Sequence, residues 1–458
     1  MNRFFLFVLP FAICAELAAE DETPWPPAQV VAKGPMTLKT PEFLIIPPVV
    51  SARQAEGRIV AFDMAKEPPS VDLAFHENLG PNAIHRRLWS SWGDICVASD
   101  GRVYCAIGDH GNDAAGDARC FLYRWDPKEK RLTQVVDMNK VVPPQPGQPA
   151  WAKVHARIDE GPDSKIYFSC TLTAGQRAGD PKYAFNDTLP GGQLYRFDPA
   201  TGNTEVFANL PPRRCTATSI LDRARNVWWC NLEVQDGDSL WGIDLATKRQ
   251  IYRGVEGSVG FNRAFALLHD GQILFNGPSI LARLDPVTGT IHPTKTHAEG
   301  SPGMRSVTRE SRDGHVYGAL QTTHQLYDYA VARDELRLLG PTWLEGEYTA
   351  DCELSPDERF LYYLPGSHGG AWKNGTPVIQ YNLATGRRKV LAFLEAAVEH
   401  SLDYVPAGTY GMKISADGST LYVNFNGHAA DRIRPATMKP IGFGLTAFAA
   451  IHIPESER

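Results

Sequence analysis

Four of the thirteen histidines recur in one kind of local sequence. Each follows, by ten or eleven residues, an aspartate at the polar turn of a hydrophobic hairpin. The four are His110, His324, His368 and His428, in the contexts GDHGND, TTHQL, GSHGG and NGHAA. Near neutral pH an imidazole can transfer a proton, carry positive charge or bind a metal. The recurrence therefore predicts a site, although turn residues inherited from one ancestral repeat would give the same pattern.

The turn aspartates also provide a common register for the residues that precede them. They are Asp100, Asp163, Asp222, Asp270, Asp313, Asp357 and Asp417. The residues eight positions before them are Trp92, His155, Arg214, Asn262, Arg305, Thr349 and Thr409. Two positions further along, on the same strand face, are Asp94, Arg157, Thr216, Ala264, Val307, Asp351 and Gly411. A ring that only packed would use apolar side chains, so these polar groups predict a ligand.

Such side chains suit an anionic substrate, and one fitting reaction is β-elimination at a uronic acid. This reaction needs a neutralised carboxylate, a base for the adjacent proton and an acid for the leaving oxygen. We assign His155 as base or acid and Arg214 as the neutralising group. Tyr183 or Tyr410 would be the proton donor, and His110 belongs to the same catalytic set. The predicted substrate-binding residues are Trp92, Arg157, Arg263, Arg305, His368, Lys413 and Trp372.

The elements that must position these residues are repeated hairpins. The stretch QLYRFDPATGNTEVF, residues 193–207, alternates apolar and polar residues on both sides of a polar turn. Six similar stretches occur, at 58–71, 121–135, 240–254, 281–294, 326–340 and 378–393. Between them lie the hairpins that turn at the aspartates. Alternation around short polar turns predicts β-hairpins.

Two hairpins per repeat predict a four-stranded antiparallel sheet every 45–60 residues or so, close to known propeller repeats. Sheets of this kind bury their faces by stacking radially. We therefore predict an all-β, seven-bladed β-propeller over residues 58–458, whose last blade is completed by an N-terminal strand. The strand-like tail LTAFAAIHIPE leaves eight blades as an alternative. Residues 20–57 are predicted to form an extended N-terminal arm.

Charge and the N-terminus limit the function classes. The formal net charge is −6 with no long basic run, which disfavours nucleic acid and anionic membranes as partners. Residues 1–19 resemble a secretory signal peptide, with an apolar run too short to span a bilayer. A lipobox at Cys14 is the alternative, with Ile13 a poor match. We expect a secreted or periplasmic monomer without a membrane span.

Seven cysteines remain after residue 19: Cys96, Cys105, Cys120, Cys170, Cys215, Cys230 and Cys352. An odd number leaves at least one thiol unpaired within the chain. Their apolar contexts favour small buried thiols. Disulfides between Cys96 and Cys105, and between Cys215 and Cys230, are the alternative, because each pair flanks a hairpin.

Imidazoles on neighbouring blades can also converge on a channel and hold Mn, Ca or Zn. We list His324, Gln321, His368 and His428 as candidate ligands, with His110 as a further member. The longer loop from Thr173 to Gln193 contains basic and aromatic residues and is a candidate lid or substrate wall.

The repeats and the His/Arg/Tyr set resemble the secreted β-propeller polysaccharide lyases, namely the ulvan, rhamnosyl-glucuronate and oligogalacturonate lyases. QTTH, residues 321–324, is similar to part of the oligogalacturonate lyase metal site, but Leu326 stands where that motif has its next histidine. DEGPDSKIYF, residues 159–168, resembles a streptogramin lyase repeat. The resemblance implies a carbon–oxygen lyase acting on an anionic polysaccharide or oligosaccharide, with a divalent metal as a possible cofactor. Other classes remain open: a non-catalytic glycan- or protein-binding propeller, or a lactonase-like hydrolase.

Overall fold

The computed structural model describes residues 28–58, 60–79, 89–93, 95–109, 118–144, 150–170, 191–212, 214–232, 238–260, 263–295, 303–344, 346–434 and 443–458. These residues form seven sheets, each antiparallel except for one added parallel strand, in the seven-bladed propeller that the repeats predict. The signal-peptide prediction lies outside the described residues.

Blades 1 to 4 follow the chain from the channel outward. Blade 1 comprises Trp89–Ser90, Cys96–Val97, Val103–Asp109, Cys120–Asp126 and Arg131–Asp137. Blade 2 comprises Asp159–Glu160, Ile166–Cys170, Gln193–Phe197 and Thr204–Asn209. Blade 3 comprises Ser219–Asp222, Val227–Leu232, Ser239–Asp244 and Gln250–Arg253. Blade 4 comprises Phe265–Leu267, Ile273–Asn276, Leu281–Asp285 and Thr290–Pro293.

Blades 5 to 7 depart from this simple pattern. Blade 5 comprises His315–Ala319, Gln325–Ala330 and Glu335–Pro341. Blade 6 comprises Cys352–Leu354, Phe360–Tyr363, Pro377–Asn382, Arg388–Phe393 and the parallel Phe62–Met64. Blade 7 comprises Tyr404–Ile414, Thr420–Ala429, Leu445–His452, Ser70–Phe75 and Met36–Leu38. In blade 5 the segment around Arg305 occupies the innermost position through backbone bonds, such as Arg305 N–H to the Ala319 carbonyl at 2.7 Å.

Short helices connect or flank the blades. They are Ala28–Val31, Pro48–Ala55, Met138–Val141 and Glu395–Leu402, with 3₁₀ turns at Pro41–Leu44, Ala371–Asn374 and Glu455–Glu457. The part of the arm that is described thus contains two helices and a strand. Among the residues in the described ranges, no helix has the length and apolar character needed to cross a membrane.

Blade 7 closes the ring with strands from both ends of the described chain. Ser70–Phe75 pairs with Leu445–His452, so the tail is the third strand of this blade and no eighth blade exists in the described part. Side chains of blade 7 also bond to blade 1. The Asn426 amide accepts a hydrogen bond from the Ser91 N–H at 2.7 Å and donates one to the Ser91 carbonyl at 3.0 Å.

Large aromatic side chains fill the spaces between blades. Trp228 of blade 3 meets Tyr167 of blade 2 edge-on, with ring centres 5.6 Å apart, and both are at most 1% exposed. Such pairs add roughly 0.5–1.5 kcal/mol beyond the area they bury. Buried side chains between neighbouring blades therefore help to hold the blades together.

The seven described cysteines are free and buried, as the buried-thiol interpretation predicts. The alternative disulfides, Cys96–Cys105 and Cys215–Cys230, are absent, and the strand register explains why. Cys96 lies opposite Tyr104, and Cys230 lies opposite Ser219. Adjacent residues point to opposite faces of a sheet, so Cys105 faces away from Cys96.

Candidate active site at the channel mouth

A cavity of about 60 Å³ lies where the innermost strands begin. It is lined by Trp92, His155, Arg157, Ala217, Thr218, Arg263, Ala264, Phe265, Arg305, Ser306, Val307, Ala350, Asp351 and Tyr410. These residues come from all parts of the ring. The structure thus brings together Trp92, His155, Arg157, Arg263, Arg305 and Tyr410 of the predicted set.

Two glycines of blade 1 determine the position of His155. A Cβ on Gly108 would lie 1.9 Å from the Ala152 carbonyl oxygen, and one on Gly93 would lie 2.7 Å from that of Ala156. Only glycine permits so close an approach. The segment that carries His155 therefore lies directly against blade 1, with the imidazole 3% exposed.

Aromatic rings form one wall of the site. Trp92 is half-buried, and its ring centre lies 4.8 Å from that of Tyr410 and 6.4 Å from that of His155. Phe443 stacks on the same indole at 5.2 Å. The ammonium of Lys153 lies 4.4 Å from the centre of the Trp92 ring, a cation–π arrangement.

The cavity lining concentrates basic side chains, although the whole chain is negative. Among the described residues that line it, Arg157, Arg263 and Arg305 occur with one carboxylate, Asp351. That carboxylate accepts backbone hydrogen bonds from Met412 at 2.8 Å and from its neighbour in sequence. Three guanidinium groups in one cavity suit an anionic ligand.

Arg305 is the most buried of the three arginines, at 6% exposure. Its guanidinium donates to the Ala350 carbonyl at 3.0 Å and to the Tyr348 hydroxyl. It also lies 5.0 Å from the centre of the Tyr348 ring. These contacts fix the planar fork that suits a carboxylate.

Tyr410 has a hydroxyl that is buried in the cavity wall and has no hydrogen-bond partner among the described residues. Burial raises its pKa, and the nearby Tyr348 adds to this rise, whereas Arg305 and Arg263 oppose it. The hydroxyl therefore stays protonated near neutral pH and can donate a proton or a hydrogen bond.

His368 and His324 extend the site beyond the cavity. Their ring centres lie 4.1 Å and 5.9 Å from that of Tyr348. Burial lowers the pKa of both imidazoles, and for His368 the charges of Arg305 and Arg263 lower it further. The lowered pKa favours the neutral form of both imidazoles near pH 7.

The candidate metal ligands do not form one cluster. His428 lies against Trp372, with ring centres 5.6 Å apart, whereas His324 and His368 surround Tyr348. Gln321 has a buried amide oxygen without a partner among the described residues. In the described ranges no three His, Cys, Asp or Glu side chains lie close enough together to hold a metal ion. His110 lies outside the described residues.

Three other predicted residues do not line the cavity. Arg214 forms an ion pair with Glu256 at 2.5 Å, and Lys413 forms one with Glu353 at 2.5 Å. Trp372 belongs to the 3₁₀ turn Ala371–Asn374 beside His428. Tyr183, Asp94 and most of the predicted lid lie outside the described residues.

Sequence reasoning missed three residues at the site: Lys153, Tyr348 and Phe443. Lys153 stands two positions before His155 in the sequence, so the register could have included it. Tyr348 directly precedes Thr349 of the predicted ring. Phe443 belongs to no repeat and offers no signal of this kind.

No protein-family model matches the chain, and no curated protein matches its sequence. Solved structures do match in shape. The match to "Structure of U3-55K" has 9% sequence identity and a TM-score of 0.51, and it covers 84% of this chain and 98% of that one. "Crystal structure of RRP9 WD40 repeats" has 10% identity and a TM-score of 0.52, with 86% and 100% covered. The match to "Crystal Structure of Mitotic Checkpoint Complex" has 10% sequence identity and a TM-score of 0.52, and it covers 86% of this chain and 98% of that one. At these identities the similarity shows the propeller fold alone.

Proposed function

We propose that this protein is an exported, monomeric enzyme that cleaves a uronic-acid-containing glycan by β-elimination. The observation that carries the proposal is the meeting in one cavity of three arginines, His155 and a tyrosine hydroxyl that has no hydrogen-bond partner among the described residues. These are the group types that the reaction requires.

The arginines would bind the uronate carboxylate. A guanidinium can bind a carboxylate through two parallel hydrogen bonds. The carboxylate would lie among these arginines, and the sugar ring would extend toward Tyr348 and His368. Positive charge at the carboxylate stabilises the negative charge that develops when the adjacent proton leaves.

His155 and Tyr410 would transfer the protons. His155 accepts the proton from C5, and the electron pair of the broken C–H bond forms the C4=C5 double bond. The C4–O bond breaks, and its electron pair stays on the leaving oxygen, which takes the proton of the Tyr410 hydroxyl. Trp92 contacts both rings, which suits two groups that act on one sugar.

The product of this reaction is distinctive. Elimination creates a double bond conjugated to the carboxylate, and this absorbs ultraviolet light. Hydrolysis yields shorter chains without that absorbance, and a binding protein leaves the polymer intact. Incubation of the purified protein with a panel of uronate polymers, followed by absorbance and chain-length analysis, separates the three classes.

His155→Ala and His292→Ala form a matched pair for this test, since His292 is exposed on the outer strand of blade 4. We expect the first variant to lose the absorbance change and the second to retain it. Chain cleavage that persists in His155→Ala, or polymers that the wild type leaves whole, would overturn the proposal. N-terminal sequencing of exported protein tests export, with a new N-terminus expected near Ala19.

A further inference from the structure

We propose that Glu347 is a positioning residue for the candidate site. Through its contact with Asn374 it holds the adjacent Tyr348 in place. Tyr348 in turn orients Arg305 and His368. The proposal deepens the proposed function and rests on one part of it, the binding of an anionic ligand at Arg305. Glu347 does not occur among the described residues that line the cavity, so it acts on a ligand only through its neighbours.

Tyr348 is held at its backbone, its hydroxyl and its ring. Its carbonyl accepts hydrogen bonds from the N–H groups of Gly366 at 2.9 Å and Ser367 at 3.0 Å. Its hydroxyl accepts one from the Arg305 guanidinium, and its ring centre lies 4.1 Å from that of His368. The place of this one tyrosine therefore sets the orientation of a cation and of an imidazole at the site.

Glu347 holds the segment that carries Tyr348. The side-chain amide of Asn374 donates a hydrogen bond to Oε1 of Glu347. The Glu347 carbonyl also accepts hydrogen bonds from the hydroxyls of Thr342 at 2.7 Å and Thr349 at 3.1 Å. Asn374 is only 4% exposed, so the carboxyl contacts a packed group and not a surface side chain.

The turn that provides Asn374 is itself supported from outside the cavity. It is the 3₁₀ turn Ala371–Asn374, and the arm helix Pro48–Ala55 packs against it. A Cβ on Gly375 would lie 2.5 Å from Cγ of Pro47, so the arm lies directly against the end of the turn. The contact with Glu347 therefore joins the segment of Tyr348 to a fixed part of the fold.

The same turn supports the loop that carries His368. The N–H groups of Gly370 and Ala371 donate to the Gly366 carbonyl at 3.0 Å and 3.2 Å. A Cβ on Gly366 would lie 2.6 Å from the Ala371 nitrogen, so the loop folds closely onto the turn. The turn and the loop therefore form one compact unit, and the Glu347 carboxyl joins the neighbouring segment to it.

The surroundings of Glu347 make this contact sensitive to pH. Burial raises the pKa of the carboxyl to about 7, and the rise is opposed by Arg53 of the arm helix and by Asn374 and Lys373 of the turn. The other neighbouring element carries His324 and packs against the residue that precedes Glu347. The protonated carboxyl therefore predominates below about pH 7.

Ionisation of Glu347 should weaken ligand binding. The charged carboxylate has one buried oxygen, Oε2, without a hydrogen-bond partner among the described residues. Its charge also lies next to the residue that orients Arg305, where it opposes an anionic ligand. Affinity for such a ligand should therefore fall as the pH rises through about 7. This step is separate from the protonation of His368, whose pKa is held below 6.5.

The test is titration calorimetry at pH 6 and pH 8 with glucuronate, a monosaccharide that has no glycosidic bond to cleave. We expect the wild type to bind about tenfold more weakly at pH 8, the effect of roughly one hydrogen bond. Glu347→Gln keeps an acceptor for Asn374 and cannot ionise. Its affinity should match that of the wild type at pH 6 and fall much less by pH 8. Glu347→Ala should bind about tenfold more weakly than the wild type at pH 6.

Glu395→Gln is the matched control. Burial, with the charge of Glu399, raises the pKa of the Glu395 carboxyl to about 7 as well. This residue lies in the helix Glu395–Leu402 and is not part of the described cavity lining. Its affinity should depend on pH as in the wild type. No decline in the wild type, or an equal decline in Glu347→Gln, would overturn the proposal.

A second measurement needs no ligand. The NMR signal of the His368 imidazole depends on the Tyr348 ring beside it, and His368→Gln identifies that signal. At pH 6, Glu347→Gln should leave the signal in its wild-type position, and Glu347→Ala should shift it. Neither substitution changes the charge of the protonated carboxyl, so a shift reports a change of position.

The two measurements separate the two ideas. An unshifted His368 signal in Glu347→Ala would refute the positioning role even if glucuronate binds. A shifted signal supports that role, and a wild type that then fails to bind glucuronate would count against the proposed function alone.

Discussion

The guanidinium carbon of Arg305 lies 5.5 Å from the centre of the Tyr410 ring. These residues belong to blades 5 and 7, so their meeting depends on the closed ring. Each alters what the other can do. The guanidinium favours ionisation of the phenol, but burial outweighs this and keeps the hydroxyl protonated. The pair therefore presents a positive charge and a retained hydroxyl proton side by side.

Arg305→Lys should weaken binding of a uronate oligosaccharide by about ten- to hundredfold. The lysine keeps the charge but loses the fork, and a hydrogen bond to a charged group contributes roughly 1.5–3 kcal/mol. Isothermal titration calorimetry measures the effect. Arg333→Ala is the control, because Arg333 is exposed and pairs with Glu335 on the outer surface. Equal affinities of wild type and Arg305→Lys would remove Arg305 from the ligand site.

Tyr410→Phe should lower kcat by roughly 10²–10⁴-fold, the usual contribution of a positioned acid. Stability should change little, because the hydroxyl has no partner among the described residues. Tyr404→Phe is a matched control: Tyr404 is also buried, and its hydroxyl has no partner among the described residues, but it is not part of the cavity lining. Similar kcat values for the two variants would argue against Tyr410 as the acid.

The pH dependence of binding should report the state of His368. Burial, with Arg305 and Arg263, holds its pKa below 6.5, so the imidazole is neutral at pH 7. As the pH falls through this lowered pKa, protonation adds positive charge, and the affinity for an anionic glycan should rise. Calorimetry over a pH series checks this. His368→Gln should reduce the increase in affinity at low pH. If the affinity of that variant depended on pH as in the wild type, another group would be responsible for the increase.

Acid stability should depend on Asp72 in the closing blade. Burial opposes its ionisation, but bonds from Lys130, Thr37 and His452 outweigh this and hold its pKa below 3.8. A lowered folded pKa gives stability that is present above 3.8 and is lost as the pH falls through the folded pKa. Urea midpoints of Asp72→Asn should depend less on pH in this range. Glu335→Gln, at an exposed position, is the control. If the urea midpoint of Asp72→Asn depended on pH as strongly as that of the wild type, the assignment would be contradicted.

Asn426→Ala should destabilise the ring by about 1–3 kcal/mol, because it leaves the buried Ser91 N–H and carbonyl without these partners. Asn203→Ala, in an exposed turn, should have little effect. Urea unfolding measures both. A midpoint for Asn426→Ala equal to that of Asn203→Ala would show that the strand pairing alone closes the ring.

Sequence reasoning reached the fold because alternation and turn chemistry are local signals. It reached much of the cavity because one register applies to similar inner strands. It failed at Arg214 for a visible reason. The Asn231 amide accepts hydrogen bonds from the backbone of Ala217 and Thr218 and bends the chain there. Ala217 and Thr218 therefore line the cavity in blade 3, and Arg214 turns to Glu256.

Lys413 shows a second limit of the same method. It stands four residues before its turn aspartate, nearer the far end of the innermost strand, and pairs with Glu353 of the neighbouring blade. Tyr348 shows a third limit, since its role comes from contacts with Arg305 and His368 that no spacing encodes.

The pairing of Ser70–Phe75 with Leu445–His452 also bears on biosynthesis. Ser70–Phe75 is synthesised early, but its partner strand is synthesised only after nearly all of the remaining chain. Contacts so distant in sequence are slow to form, and unpaired strand edges invite aggregation meanwhile. The propeller ring can therefore close only after Leu445–His452 has left the ribosome. A nascent or truncated chain that lacks this strand has an open ring and is exposed to aggregation.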